Sequence, residues 1–172
     1  MISKKVLSEI VSKYSLGGHV EKVKWIIDEN GGVAINFIND SKTLVGEIHY
    51  NDNIGLKKGS YGIFNTSQLV KCLNILDGDI LIETKSQNGL ASKLNLADTN
   101  YDIKFSLADP AVIPKVPQIN DSDQPSASFE MTDEFITRFV KSKDALNDLP
   151  SFTIETREGM TGNDLVFTVG TD

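Results

Sequence analysis

The sequence predicts an α+β protein built from repeated β-α-β-β-β units, with helices on one face of antiparallel sheets. Three observations support this class. Helical periodicity of apolar residues occurs in three short segments. Runs of alternating apolar and polar residues, the pattern of half-buried strands, follow each of these segments. The segments begin roughly 65 residues apart, which indicates an internal repeat.

Each predicted helix begins after a hydroxyl residue that can cap its N-terminus, namely Ser3, Thr66 or Thr132. Apolar residues recur three, four and seven positions after each cap. The resulting stripes contain Val6, Leu7, Ile10, Val11 and Tyr14, then Leu69, Val70, Leu73 and Leu76, then Phe135, Ile136, Phe139 and Val140. Two caps are preceded by an aromatic residue that we expect to lie in a strand, Phe64 or Phe129.

The strands predicted after the helices cover 20–27, 32–39, 43–50, 79–86, 90–97, 101–108, 151–158 and 164–170. A further strand at 61–64 leads into the second helix. Residues 80–85 (ILIETK) are nearly repeated at 152–157 (FTIETR), which supports the repeat. The third unit offers two strands where the others offer three, so we expect the sequence to be truncated within it.

Four of the five prolines lie between residues 109 and 126. Prolines at this density disfavour helix and remove donors from a strand ladder, so we expect an extended, mostly exposed connector without helix. The predicted organisation is a complete first domain at 1–108, a proline-rich interdomain connector at 109–126, and a partial second domain at 127–172.

The composition, 40% hydrophobic and 24% charged, is typical of a globular protein rather than a disordered one. No apolar run approaches the roughly 18 residues of a membrane span, and the single cysteine, Cys72, suits a reducing cytoplasm. The formal net charge is −7. Proteins that grip DNA over a broad face are usually basic, so any DNA contact must come from a locally basic surface.

The sequence contains no recognisable catalytic constellation. His19 and His49 lack further ligands at metal-binding spacing, and no Gly-Lys-Ser/Thr of a phosphate loop follows the glycines between residues 55 and 62. Cys72 has no histidine near it in sequence. We therefore expect a protein that is not an enzyme and has no metal and no cofactor.

Cationic side chains lie off the apolar stripes of the predicted helices. They are Lys4, Lys5, Lys13, Lys71, Arg138 and Lys141. Arg138 and Lys141 are three residues apart and so share a helix face. If the repeated helices line one side of a sheet layer, the six cations gather on one surface. A solvated helix face is the simpler alternative for such a pattern.

Repeated units of this kind, two per domain with helices on one face, resemble the DNA-clamp fold of sliding clamps, the processivity factors of DNA polymerases. The closest resemblance is to clamps of tailed bacteriophages. It is carried by residues 2–4 (ISK), by 61–66 (YGIFNT) leading into Leu69 and Val70, and by 108–110 (ADP) before the connector. It extends diffusely over the chain, with fewer cations on the second helix and a shorter C-terminal part than in the family.

The resemblance implies a clamp that encircles double-stranded DNA, independently of its sequence, and confers processivity in phage replication. The six cations would face DNA in the bore. DNA polymerase and a clamp loader would dock by peptides in an apolar pocket beside the connector at 109–126. The full-length protein would be a homotrimer in the cytoplasm of the infected host cell, without membrane contact. Because the last unit is incomplete, we expect these 172 residues to form a monomer or a non-ring oligomer.

Two other classes of function remain open from the sequence. One is a phage structural or assembly protein that uses the repeated sheet as an interaction platform. This class gives no reason for cations to gather on one helix face. The other is a hydrolase with an unrecognised site, against which the lack of an acid–base pair or an activated nucleophile argues.

Overall fold

The computed structural model describes residues 2–87, 89–118, 129–145, 151–159 and 162–169, and the chain divides into two units, Met1–Asp121 and Ser122–Asp172. The helices are α1 (Lys4–Ser15), α2 (Thr66–Ile75) and α3 (Asp133–Ala145). The first unit has strands β1 (Ile2–Ser3), β2 (Val23–Ile27), β3 (Val33–Ile38), β4 (Val45–Tyr50), β5 (Gly59–Ile63), β6 (Asp79–Gln87), β7 (Leu90–Ala97) and β8 (Asp102–Ser106). The second has β9 (Phe152–Gly159) and β10 (Gly162–Val169).

The first two repeats exchange their first strands. Within the described residues, the first unit forms two four-stranded antiparallel sheets, ordered β1-β6-β7-β8 and β4-β3-β2-β5. Strand β1 of the first repeat pairs with β6 of the second, with Ile2 opposite Ile80. Strand β5 of the second repeat pairs with β2 of the first, with Tyr61 opposite Trp25. The predicted α+β class with β-α-β-β-β repeats is confirmed, and each repeat completes the sheet of the other.

Helices α1 and α2 bury their apolar stripes in one hydrophobic core, to which both sheets of the first unit contribute. Leu7 and Tyr14 of α1, and Leu69 of α2, are fully buried. The strands alternate as the sequence predicts: in β2, Trp25 is buried and Ile26 is exposed. The helices contact each other and lie on one face of the sheets. Each large side chain buried in this way stabilises the fold by about 1.5–3 kcal/mol.

Gly62 in β5 brings the first strand of the second repeat against the chain beyond β8, the last strand of the same repeat. The N–H of Ala108 donates to the carbonyl oxygen of Gly62 at 2.9 Å, in a bridge beyond β8. A Cβ at position 62 would lie 2.5 Å from the carbonyl oxygen of Ala108, which is a backbone atom and cannot swing away. The contact therefore requires glycine.

A hydrogen-bonded junction holds the turn between α2 and β6. One Asp98 carboxylate oxygen accepts from the N–H of Asp77 at 2.8 Å, and the other accepts from Asn100 and Tyr101 at 2.7 Å each. The N–H of Lys4 donates to the carbonyl of Gly78 in the same turn at 2.9 Å. These backbone donors, led by Asp77, lower the pKa of Asp98. The start of α1, the α2–β6 turn and the β7–β8 turn are thus tied together.

The predicted N-cap residues of the three helices were partly wrong. Ser3 is the N-cap of α1, but its side chain makes no capping hydrogen bond. The N-cap of α2 is Asn65, whose side chain accepts from the N–H of Gln68 at 2.8 Å, whereas the predicted cap, Thr66, is the first helical residue. Thr132 does cap α3, accepting from the N–H of Phe135 at 3.2 Å. Phe64 lies just after β5, and Phe129 is in no strand.

The proline-rich segment contains a short 3-10 turn at Pro110–Val112, so the prediction that it is free of helix is wrong there. Proline at the start of a helical turn gives up only a donor that would be unpaired anyway. The Asp109 carboxylate caps the turn by accepting from the N–H of Ala111 at 2.8 Å. Ile113 is buried, and the rest of the segment through residue 118 is mostly exposed. Positions 119–126 of the predicted connector lie outside the described residues.

The second unit joins α3 to the β9–β10 hairpin through aromatic rings. The Phe167 ring centroid lies 4.8 Å from that of Phe135 and 5.9 Å from that of Phe139, and the Phe139 and Phe152 centroids are 5.0 Å apart. Edge-to-face pairs at such distances add about 0.5–1.5 kcal/mol each beyond their area burial. In the described part of this unit, β10, which covers the strand predicted at 164–170 as far as Val169, has β9 as its only paired neighbour.

Replacing Gly62 by alanine should lower the free energy of unfolding by about 1–3 kcal/mol, because the methyl group would force the Ala108 backbone away. Urea unfolding measures the change. Ser60→Ala, at an exposed position of the same strand, is the control and should change stability by less than about 0.5 kcal/mol. Equal stability of the Gly62→Ala variant and the parent would contradict the close contact.

Asp98→Asn should destabilise the protein at neutral pH, because the amide is a weaker acceptor than the carboxylate for three backbone donors. The folded-state pKa of Asp98 is lowered, so its contribution is present above the unfolded value of about 3.9 and is lost as pH falls through the folded value. The stability gap between parent and variant should therefore shrink below about pH 4. Asp102→Asn serves as the control for loss of one carboxylate from the chain. A stability difference between the parent and the Asp98→Asn variant that stays constant with pH would argue against the junction.

Candidate nucleic-acid interface

Helices α1 and α2 together carry a local excess of positive charge. The two helices contain four lysines and one glutamate, a net charge of +3, on a chain of net charge −7. Burial of the apolar stripes leaves Lys5, Lys13 and Lys71 exposed. An acidic protein thus presents a basic helix pair, which is the local condition that contact with a polyanion requires.

The four predicted cations of the first unit differ in their partners. Lys4 is the least exposed, at 26%, and its Nζ lies 3.6 Å from an Asp77 carboxylate oxygen. Lys13 pairs with Glu9 at 2.8 Å, one helical turn away. Lys5 and Lys71 form no ion pair with any described residue. Two of the four charges are therefore available to an incoming anion without the loss of an existing ion pair.

The ionisation of Glu9 reflects the positive surroundings of α1. The hydrogen bond and charge of Lys13 lower the pKa of the Glu9 carboxyl, and the charge of Lys5 contributes in the same direction. Glu9 therefore stays ionised and offsets part of the charge of Lys13. This leaves Lys5 as the main uncompensated cation of the helix.

An uncharged groove of about 310 Å³ runs between α1 and α2. Val11, Val70 and Leu73 line it together with Ser8, Ser12 and Asn74. The Ser8 hydroxyl is buried and makes no hydrogen bond to any described residue. Because the lining carries no charge, the electrostatic character of this side depends on the lysines.

In the second unit, Arg138 and Lys141 are both exposed on α3. A guanidinium nitrogen of Arg138 lies 3.7 Å from a carboxylate oxygen of Glu134, one helical turn away. Helix α3 carries three acidic and three basic residues, so it lacks the net positive charge of the first two helices. That all six cations lie on one surface stays a prediction.

The start of α2 is held by Glu21, which lies in none of the predicted helices. The Glu21 carboxylate accepts from the N–H of Ser67 at 2.9 Å and also from the Ser67 hydroxyl. The Glu21 backbone carbonyl accepts from the Thr66 N–H at 3.1 Å and from its hydroxyl at 3.0 Å. Together with the Asn65 cap, these bonds satisfy the first N–H groups of the helix. Glu21 therefore fixes the direction in which α2 presents Lys71.

A second missed feature is an open cavity of about 690 Å³ beside this helix start. Lys22, Asp40, Phe64 and Lys71 lie in its wall. The Lys22 ammonium sits 5.4 Å from the Phe64 ring centroid and donates to Asp40 at 3.2 Å. Helical periodicity could not point to this site, because Lys22 and Phe64 flank strands and meet only through the fold.

The cavity beside the described end of the predicted connector is smaller, about 420 Å³. Asn36, Glu47 and Gln118 line it beside Val116 and Pro117. The resemblance to sliding clamps implies an apolar pocket at the connector. The lining of this cavity is polar as well as apolar.

The side chains considered for catalysis or metal binding were His19, His49 and Cys72. His49 is exposed and pairs with Glu47 at 2.9 Å, and burial raises the pKa of the half-buried Cys72 thiol. In the described ranges, no three His, Cys, Asp or Glu side chains are grouped so that they could hold a metal ion. None of the described helices combines the length and apolarity needed to cross a membrane.

Comparison with solved structures identifies the fold. The chain is similar to A. fulgidus PCNA bound to the C-terminal region of FEN-1, with a TM-score of 0.52 and 13% identity over 98% of this chain and 70% of that one. It also matches the Helicobacter pylori beta clamp bound to a DNA ligase peptide (TM-score 0.47, 17% identity, 69% of this chain) and the DNA polymerase III subunit beta from Pseudomonas aeruginosa (TM-score 0.49, 17% identity, 70% of this chain). The chain spans 33% and 32% of the lengths of these two proteins. No protein-family model and no curated protein matches the sequence. The first unit and its repeats thus belong to the DNA-clamp fold.

Glu21→Ala should lower the free energy of unfolding by about 1–2 kcal/mol, because two donors at the start of α2 lose their acceptor. Chemical denaturation measures the loss. The control is Glu83→Ala, an exposed glutamate in β6, which should change stability by less than about 0.5 kcal/mol. Equal effects of the two substitutions would show that Glu21 does not secure the helix start.

Proposed function

We propose that this chain belongs to a DNA polymerase sliding clamp of the tailed-bacteriophage type, a non-enzymatic factor that encircles duplex DNA and confers processivity. The DNA-clamp fold supports the proposal. The observation that carries it is the net charge of +3 on α1 and α2, in a chain whose net charge is −7. An acidic protein needs such a local basic surface if it is to hold DNA.

In the proposed contact, lysine side chains meet phosphates and read no bases, so the contact is independent of sequence. Lys5 and Lys71 make it directly, since neither is ion-paired within the described residues. Lys4 and Lys13 exchange carboxylate partners for phosphates. Arg138 and Lys141 act in the same way from α3. A helix of 12 residues, the length of α1, is roughly 18 Å long and spans a groove edge without entering the groove.

The proposed partners follow from the same assignment. DNA polymerase and a clamp loader dock through peptides beside the connector at 109–126, where the cavity next to Val116 and Pro117 offers a first contact. Residues 1–108 form the first clamp domain and residues 127–172 part of the second. The full-length protein is a homotrimer in the cytoplasm of the infected host cell.

The test is the affinity of the protein for a fluorescent duplex of about 20 base pairs at about 50 mM salt, followed by anisotropy. The parent should bind weakly, and the affinity should fall steeply as salt rises. Replacing Lys5 and Lys71 by glutamate should weaken binding by about tenfold, because two unpaired cations of the helix pair are reversed.

A control variant with the same change in net charge distinguishes the effect of the helix lysines on affinity from the effect of overall charge. Lys93→Glu with Lys104→Glu makes the same change in net charge at exposed positions of β7 and β8. These strand substitutions should leave the affinity within about twofold of the parent. Equal losses in the two double variants, or no loss in the helix pair, would refute the assignment of α1 and α2 to DNA.

A further inference from the structure

Phe64 is an aromatic side chain that the fold leaves open to solvent. It follows β5 directly and precedes Asn65, the cap of α2, and it is 50% exposed. Its neighbour Ile63 is fully buried. The end of β5 and the start of α2 are fixed by the core and by the Asn65 cap, so the ring is held at one place on the surface.

The side chains around the Phe64 ring are of the kinds that bind nucleic acids. Lys22 lies over the ring, and Asn65, Gln68 and Lys71 line the same cavity of about 690 Å³. This volume falls in the range of small-molecule sites, about 300–1,000 Å³. Amides can bond to base edges, ammonium groups to phosphates, and an exposed ring stacks on an unpaired base.

Two carboxylates also line the cavity, and both are engaged. Glu21 accepts from the N–H and hydroxyl of Ser67, which directs its oxygens toward the helix start. Asp40 accepts from Lys22 at 3.2 Å and is itself 78% exposed. Asp40 thus balances Lys22 while the cavity is free, and a phosphate can take its place. Lys71 has no carboxylate partner among the described residues.

We propose that this cavity binds single-stranded nucleic acid, with an unpaired base stacked on the Phe64 ring and the flanking phosphates on Lys71 and Lys22. An apolar peptide would also use the ring, but it would leave Lys71 and two amides without partners and Lys22 paired with Asp40 alone. A strand with an unpaired base engages all of them. Base–aromatic stacking tolerates any base, so the site does not select a sequence.

The proposal goes beyond duplex binding by the helices and does not require ring closure. The two sites share Lys71 alone, since Phe64 and Lys22 lie off α1 and α2. A strand that leaves a duplex held on the helices could therefore pass Lys71 and reach the cavity. The Phe64 ring distinguishes the two sites, because paired bases in a duplex cannot stack on it.

The experiment compares a fluorescein-labelled oligothymidylate of about 12 nucleotides with a duplex of equal length, by anisotropy at about 50 mM salt. Phe64→Ala should weaken oligothymidylate binding by about tenfold and leave duplex binding unchanged. Phe64→Tyr, which keeps an aromatic ring, should bind as the parent does. Asp40→Asn should tighten oligothymidylate binding, because Lys22 loses its competing carboxylate.

Tyr101→Ala is the control for loss of an exposed aromatic outside the cavity. This side chain is 54% exposed and should not affect either affinity. The proposal is overturned if Phe64→Ala binds oligothymidylate as tightly as the parent, or if the parent does not bind it at all. Duplex binding by the variant in which glutamate replaces Lys5 and Lys71 is measured separately. Failure of the duplex site therefore leaves the single-strand site testable, and the reverse also holds.

Discussion

The strand exchange between the first two repeats is the constraint on which the first unit depends. Neither repeat keeps its first strand: β1 completes the sheet of the second repeat, and β5 completes that of the first. The exchange places α1 and α2 against each other over a shared core. The exchanged strand β5 also meets the chain beyond β8, where Gly62 forms a bridge with Ala108. Side chains on the outward face of the helices are consequently free to serve another purpose.

The charge distribution follows from this arrangement. Lysines off the apolar stripes remain in solvent because the stripes are used by the core. At the start of α2, Glu21 is held by Ser67, and near the turn into β6, Asp77 approaches Lys4. Acidic groups in these places stabilise helix ends and turns, whereas Lys5 and Lys71 are left without carboxylate partners among the described residues. The positive character of the helix pair therefore persists on an acidic chain.

The sequence predicted the elements well, because each has a strong period. Strands β2 and β7 were placed to within three residues, and α1 begins directly after Ser3 as predicted, since alternation and the helical stripe are local properties. The cap of α2 was misplaced because Asn65 and Thr66 can both cap, and the choice depends on Glu21, which is distant in sequence. The cavity at Phe64 was missed for a similar reason: its walls come from segments that only tertiary folding brings together.

The exchanged strands also set the order in which the chain can fold. Ile2 pairs with Ile80, so the first strand has no sheet partner until β6 of the second repeat has been synthesised. Before then, Leu7 and Tyr14 lack the α2 side of their core. Closing such a long loop costs chain entropy before any contact is gained, which makes folding slow compared with a protein of local hairpins. During synthesis the nascent first repeat therefore carries an uncovered apolar helix face, and protection by a chaperone would matter most in that interval.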